Sequence, residues 1–482
     1  MNTNLPIIIQ GGMGVAISDW RLARTVSQAG QLGVVSGTGI SRVMISRLMD
    51  GDLNGQVRYA LANFPFQEPV QQILTAYYID GSKAPGTPYK NPPPYTTTPT
   101  KTLDRLTVIA NFVEVFLAKE GHTGLVGINL MEKIQMPNMA SLYGAMLAGV
   151  DYVIMGAGIP SQIAGILDKL ANHEETFYRI DVHGAEKDDD YRLCFTPEKI
   201  FPGLADQVGR LKRPQFLPII ASTVLAQALL KRSEGAINGF VIEGPLAGGH
   251  NAPPRGELVL DELGEPVYTD KDRVDLAKMR QIGLPFWLAG AYGNPDQLQL
   301  ALNEGAAGIQ VGTAFAFCQE SGMSPQLRTA ILDKVLKDEV QVFTSPTASP
   351  TGFPFKVALM EGTMTDNTVY EARPRLCDLS FLRTPYKRPD GKLGYRCSAE
   401  PVKDYVRKGG QAEDTVGRIC LCNNLAATAG FPQYRKSGYV EKPVVTTGND
   451  LVNLRQFIPS GQNCYTAQDV IDHLLGERVK AN

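Results

Sequence analysis

The chain has no uninterrupted apolar run of the roughly 20 residues that crossing a bilayer requires, which argues against a membrane span. It has no surplus of either charge: 47 Lys and Arg against 49 Asp and Glu leave a formal charge of −2. That balance excludes the broad electrostatic footprint of a nucleic-acid binder. The start, Met1-Asn2-Thr3-Asn4-Leu5-Pro6, lacks the basic region of a secretory signal. Seven cysteines are an odd set without a small disulfide framework, which points to a reducing cytoplasm. No G-x-G-x-x-G fingerprint opens the first helix, because Gly11-Gly12-Met13-Gly14 has the wrong spacing; an open doubly wound sheet would want one. What is present is the composition of a globular protein, 43% hydrophobic and 20% charged over 482 residues. That length exceeds one ordinary core and predicts a large barrel with an appended domain. The expectation is a cytoplasmic enzyme acting on a small molecule.

Short apolar runs alternate with helical patterns. Strands are predicted at Pro6–Gln10, Leu32–Ser36, Gly124–Leu130, Tyr152–Met155, Phe216–Ala221, Gly239–Glu243, Pro285–Ala289 and Gly308–Val311. Helices are predicted at Trp20–Ala29, through Ile45 and Leu48, and at Met139–Ala148, Val224–Lys231 and Pro295–Glu304. Continuous apolar strands bounded by turn residues fit a parallel sheet covered by helices. Eight of them within about 340 residues match the α/β class and a (β/α)8 TIM barrel with insertions. This divides the chain into a barrel over 1–340 and an extension over 341–482. Residues 50 to about 103, which contain Pro92-Pro93-Pro94, read as a long insertion after the second helix, a lid or homodimer arm. Asp181 to Gly203 reads as a second insertion, and its charged run Glu186 to Asp190 as a solvated loop.

The strand ends carry the chemistry. Ala247-Gly248-Gly249-His250 lies just beyond the strand ending at Glu243, at the rim where such barrels place their active sites. Two glycines let the backbone approach a flat ligand, and the imidazole exchanges a proton near neutral pH. Glu243 either orients that imidazole or faces solvent or a backbone amide. Small residues recur at the same rim: Gly11-Gly12-Met13, Asn129, Gly156-Ala157-Gly158, Ser222, Gly290 to Gly293, and Gly312-Thr313. The last two sites match the phosphate position after strands seven and eight. Thr313 is expected to offer a hydroxyl donor and cap the next helix. The pattern implies a cofactor with a phosphate and a planar ring.

With these motifs in order, the chain resembles the flavin-dependent barrels that include nitronate monooxygenases (2-nitropropane dioxygenases) and flavin-type enoyl-acyl-carrier-protein reductases. The shared segments are PIIIQGGMG (6–14), GINL (127–130), GAGIP (156–160), IIASTVL (219–225), VIEGPLAGGH (241–250) and IQVGTAFAFCQES (309–321). The resemblance implies FMN, with Gly12, Met13, Asn129, Ser222, Gly249, Gly290, Gly312 and Thr313 around it, and His250 as the catalytic histidine. The chain departs from the pattern at Ala314, where Arg is usual, and at Ala291, where a second glycine is usual. After His250, Asn251-Ala252-Pro253-Pro254 replaces small residues and stiffens the loop. The family reading allows oxidation of nitronates or nitroalkanes with dioxygen to carbonyl and nitrite, NAD(P)H-dependent enoyl reduction, or a barrel that has lost its flavin.

The extension adds the turn-rich Ser349 to Lys356, read as an ordered wrap over the barrel, and four cysteines: Cys377, Cys397, Cys420 and Cys422. Four thiols can hold a tetrahedral Zn or an iron–sulfur cluster, or lie as free buried thiols. Arg373, Arg375 and Arg418 nearby are expected to stabilise thiolates.

Overall fold

The computed structural model describes residues 5–476. The stretch Met1–Asn4, read above as lacking a basic leader, lies outside the described residues. Eight parallel strands, β1 (Ile8–Gln10), β2 (Gly33–Ser36), β3 (Val126–Met131), β4 (Tyr152–Gly156), β5 (Gln215–Ile220), β6 (Phe240–Glu243), β7 (Phe286–Ala289) and β8 (Gly308–Val311), follow one another around a single sheet. The sheet closes between β1 and β2, where Gln10 N donates to Leu32 O at 3.0 Å and Leu32 N to Ile8 O at 3.1 Å. Gln10, fully buried, reinforces the closure by accepting from Val34 N at 2.9 Å. All eight predicted strands are present, and the chain is a (β/α)8 TIM barrel.

The lumen is filled by Ile9, Val34, Ile154, Leu217, Val241 and Trp287, as a barrel core requires. Trp287 Nε1 finds its partner in Pro6 O at 2.8 Å. The outer layer includes the predicted helices, observed at Trp20–Gln28, Ile40–Met49, Asn138–Leu147, Thr223–Arg232 and Pro295–Asn303. Among the described residues no helix is long and apolar enough to cross a membrane.

Two inserted segments carry regular structure of their own. The 50–103 insertion contains two helices, Gln56–Ala62 and Gln67–Tyr77, and leads into Lys101–Lys119, the longest helix described. Its proline-rich part is held by the chain's own extension: Gln433 brackets Tyr89 through its backbone N–H (2.8 Å) and carbonyl (3.0 Å), and Asn91 donates to Asp378 at 3.1 Å. The second insertion carries one strand of a hairpin, Thr176–Arg179 with Arg192–Phe195, whose inward side chains Tyr178, Leu193 and Phe195 are buried, while the charged run Glu186 to Asp190 is a mostly exposed loop.

The extension forms an antiparallel sheet with the barrel's own rim. Strands β9 (Val342–Ser345) and β10 (Phe355–Ala358) pair, and β10 also pairs with Gly249–His250 in the register Phe355 to His250 and Lys356 to Gly249. The wrap predicted over 349–356 therefore runs onto the histidine segment itself.

Candidate active site

His250 sits at the mouth of the barrel in a cavity of about 1420 Å³, its open mouth included. Gly12, Met13, Asn129, Gly249, Gly290, Gly312 and Thr313 line the same cavity. Seven of the eight residues expected around a cofactor thus share one space. Ser222 does not line it: its Oγ accepts from Leu225 N at 3.0 Å as the cap of helix Thr223–Arg232.

Local backbone geometry explains the glycines. Gly249 takes φ +77° in the turn that brings His250 onto β10, and Gly290 takes φ +100° at the end of β7. Gly12 is required for a different reason, since a Cβ there would stand 2.3 Å from Asn129 Cβ. Ala291, noted above as a departure from glycine, still adopts φ +60°.

The imidazole is fixed from the extension. His250 Nε2 lies 2.6 Å from Ser349 Oγ, and Ser349, fully buried, is 2.8 Å from Thr351 Oγ1. The Phe355 ring packs edge-on against the imidazole at 4.8 Å. Burial pushes the His250 pKa down to about 4, so the ring is neutral across the physiological range. Glu243 is not the orienting partner that the sequence suggested; Ser349 holds that place, 99 residues further along the chain. Burial raises the Glu243 carboxyl to about 8, against the opposing pull of Lys356. Lys356, almost fully buried, donates to Pro245 O at 2.9 Å and to Asn449 Oδ1, and its pKa falls to about 8. These contacts tie the β6 loop to the extension.

At the expected phosphate end the extension again intervenes. Gly312, not Thr313, caps the short helix after β8, and Thr313 Oγ1 accepts from Gly448 N at 2.9 Å. Asp450 Oδ2 accepts from Gly293 N at 3.2 Å, and burial raises its carboxyl above the usual range. Gly448 lies against the rim so closely that a Cβ would stand 2.9 Å from Thr313 Oγ1.

The residues fit FMN. The cavity is large and flanked by glycine backbone, and the buried Gln310 Oε1 on its wall lacks a partner, an acceptor suited to a ring N–H. The Thr313 hydroxyl accepts from Gly448 N and retains its own proton to donate to a phosphate oxygen.

The four cysteines do converge. Cys377, Cys397, Cys420 and Cys422 border one small cavity. Among the described residues, however, no group of three or more His, Cys, Asp or Glu side chains is placed to hold a metal ion. Of the two readings, a Zn or iron–sulfur site is not formed, and the four are free thiols, with Cys397 and Cys420 buried. Arg373 pulls the Cys420 thiol down as expected, although burial outweighs it, and the three arginines also have other partners. Arg373 forms a bidentate pair with Glu441 (2.8 and 3.0 Å), Arg375 donates to Thr415 O at 2.7 Å, and Arg418 to Thr347 O at 2.7 Å. Burial pushes the thiols of Cys420 and Cys422 up, and Cys397 also rises, chiefly through its hydrogen bond with Cys377. The same bond lowers Cys377 to about 7.

A TIM barrel with a glycine-lined cavity and a neutral histidine at its mouth is the architecture of a small-molecule enzyme. Residues 201–350 match the family model described as nitronate monooxygenase. This stretch, which holds β5 to β8 and His250, is similar to the nitronate monooxygenase family. A nitronate monooxygenase of Pseudomonas aeruginosa is 31% identical over 129 residues, 26% of this chain and 34% of that protein. The chain thus matches about a third of that relative's length. Among solved structures, FabK from Thermotoga maritima is 15% identical with a TM-score of 0.47, covering 99% of this chain and 93% of its own. A nitroalkane oxidase from Streptomyces ansochromogenes is 13% identical, also with a TM-score of 0.47, covering 99% and 98%.

Four site residues escaped the sequence reading: Ser349, Lys356, Gly448 and Asp450. The turn formers around Ser349 signalled an ordered wrap, but nothing in a linear sequence aims that hydroxyl at His250.

Proposed function

We propose that the chain is an FMN-dependent oxidoreductase that oxidises nitronates, or the nitroalkanes that yield them, with dioxygen to a carbonyl compound and nitrite. The observation that carries this reading is His250, a neutral imidazole held at a glycine-lined cavity within the segment that matches the nitronate monooxygenase model. Bound FMN would supply the electron transfer. Gly12, Met13, Asn129, Gly249, Gly290, Gly312 and Thr313 would surround it, with Gln310 Oε1 as a ring acceptor.

The chain's own residues handle position and protons. With Nε2–H donating to Ser349 Oγ, His250 Nδ1 carries the lone pair and accepts the α-proton of a neutral nitroalkane. Its depressed pKa keeps that lone pair free at neutral pH. The raised Glu243 carboxyl stays protonated up to about pH 8, and Lys356 beside it is cationic below about 8. An anionic nitronate therefore meets no carboxylate charge from Glu243 at neutral pH. The Phe355 ring and the β9–β10 sheet cover the imidazole and limit water at the proton-transfer step.

The test is the visible spectrum of the purified protein after incubation with FMN, followed anaerobically. A flavin band that bleaches with a primary nitronate and not with NADPH is the expected result. Bleaching by NADPH would transfer the site to the enoyl reductase class. Failure to take up FMN would refute both.

A further inference from the structure

A second chamber, of about 660 Å³ with its open mouth included, adjoins the first; Thr38, Leu130 and Met131 line both. Three parts of the chain build it. The barrel supplies Leu130 and Ile134, the insertion supplies Pro93 and Tyr95, and the extension supplies Leu379 and Phe381. The wall is held in place by contacts between the two added segments: Thr97 N donates to Tyr395 Oη at 2.8 Å, and Arg383 donates to Tyr95 O at 3.2 Å. Its surface is predominantly apolar, with one informative exception. Asn111, 1% exposed on the helix Lys101–Lys119, donates through Nδ2 to Thr107 O at 2.9 Å, while its Oδ1 is buried with no partner. A buried acceptor left unmatched costs on the order of 1–3 kcal/mol, and a ligand donor removes that cost.

We propose that this chamber binds the tail of the substrate, an unbranched aliphatic chain bearing a hydroxyl or N–H that Asn111 Oδ1 accepts. The reactive end of the same molecule lies in the barrel-mouth cavity, and only this last point rests on the function proposed above. The lining supports it, since ligand sites are mostly apolar with few polar groups. The pairing of insertion with extension acquires a purpose: neither segment alone encloses the chamber.

Calorimetric titration of the purified chain with 1-hexanol, 1-heptanol and 1-octanol tests this without reference to turnover. Affinity is expected to rise about fourfold per methylene. Ile134→Trp, which fills the chamber, is expected to weaken 1-octanol at least tenfold while FMN uptake, read by absorbance, is unchanged. Asn111→Leu is expected to weaken 1-octanol about tenfold and to leave octyl methyl ether, which has no donor, unaffected. In turnover with FMN, KM for 1-nitrooctane should lie below that for nitroethane, and Ile134→Trp should erase the difference. Affinity independent of chain length, or an Ile134→Trp protein that binds 1-octanol as the unaltered chain does, would overturn the proposal. Should Ile134→Trp lose its native circular dichroism, the alcohol-against-ether comparison in Asn111→Leu decides. Alkanol binding of the expected pattern in a protein that takes up no FMN would keep the chamber and refute the proposed chemistry. FMN uptake with no alkanol binding would do the reverse.

Discussion

The two sides of the barrel mouth are built by different means. On the side of β1 and β3 the barrel supplies its own wall, and shape decides: Gly12 is glycine because Asn129 leaves no room for a Cβ. On the side of β6 to β8 the wall is shared with the extension, and side-chain hydrogen bonds decide. Ser349 holds His250, Lys356 and Asn449 hold the β6 loop, and Gly448 and Asp450 engage the β7 and β8 loops. A wall made of backbone and absent side chains is readable in a motif. One made of distant polar partners is not.

The contrast can be broken most sharply at His250. His250→Ala should lower nitroalkane turnover by roughly 10²–10⁴-fold while FMN absorbance is retained; full turnover would remove the histidine from the reaction. Next comes the extension's own integrity. Arg373 and Glu441 form a pair with side-chain exposures of 4% and 0%. Arg373→Met should cost about 3–5 kcal/mol in urea unfolding, because it leaves Glu441 buried with less compensation. Arg435 also pairs with Glu441, so a cost below 1 kcal/mol would mean that it suffices alone.

Ser349→Ala should reduce turnover about tenfold, with restoration by Ser349→Thr, since loss of one hydrogen bond unlocks the ring without removing it. The pH profile separates this positioning role from a merely structural one. On the acid side, activity in the unaltered chain should hold until pH drops through about 4, where His250 gains its proton. The linkage to stability has the same sign: a histidine pKa depressed from its ordinary 6.5 contributes stability that is complete above 6.5 and lost as pH falls towards 4. Glu243 works oppositely, its contribution complete below its ordinary 4.5 and lost as pH rises through about 8. The smallest effect sharpens the comparison by exclusion. Ser222→Ala should cost about 1 kcal/mol as a lost helix cap and leave FMN affinity unchanged; a weaker affinity would return Ser222 to the cofactor.

The parts of this molecule that were legible from residues alone are those with a local cause. All eight barrel strands follow from short apolar runs between turn residues, and seven rim positions follow from glycine and small residues at strand ends. The helix Lys101–Lys119 was not legible, because its side chains are buried from Thr107 through Val115. A helix buried on nearly every face has no polar stripe to mark its period. The cysteines left two readings open, a metal site or free thiols, and spacing could not choose: four sulfurs border one small cavity without metal-holding geometry. Thr313 shows a third limit: a hydroxyl at a helix start looked like a cap, and a glycine amide 135 residues later uses it instead.

The pairing of Gly249–His250 with β10, itself bridged to Thr446, bears on how the protein is made. Chains emerge from the ribosome amino end first, at roughly 5–20 residues per second. All eight barrel strands are therefore out well before the segment that secures the histidine. During that interval the nascent barrel presents a mouth without its β9–β10 cover, with the Gly249–His250 edge unpaired. The rim is completed only when Thr446 to Asp450 arrive, so a product ending before Thr446 would lack a finished cavity.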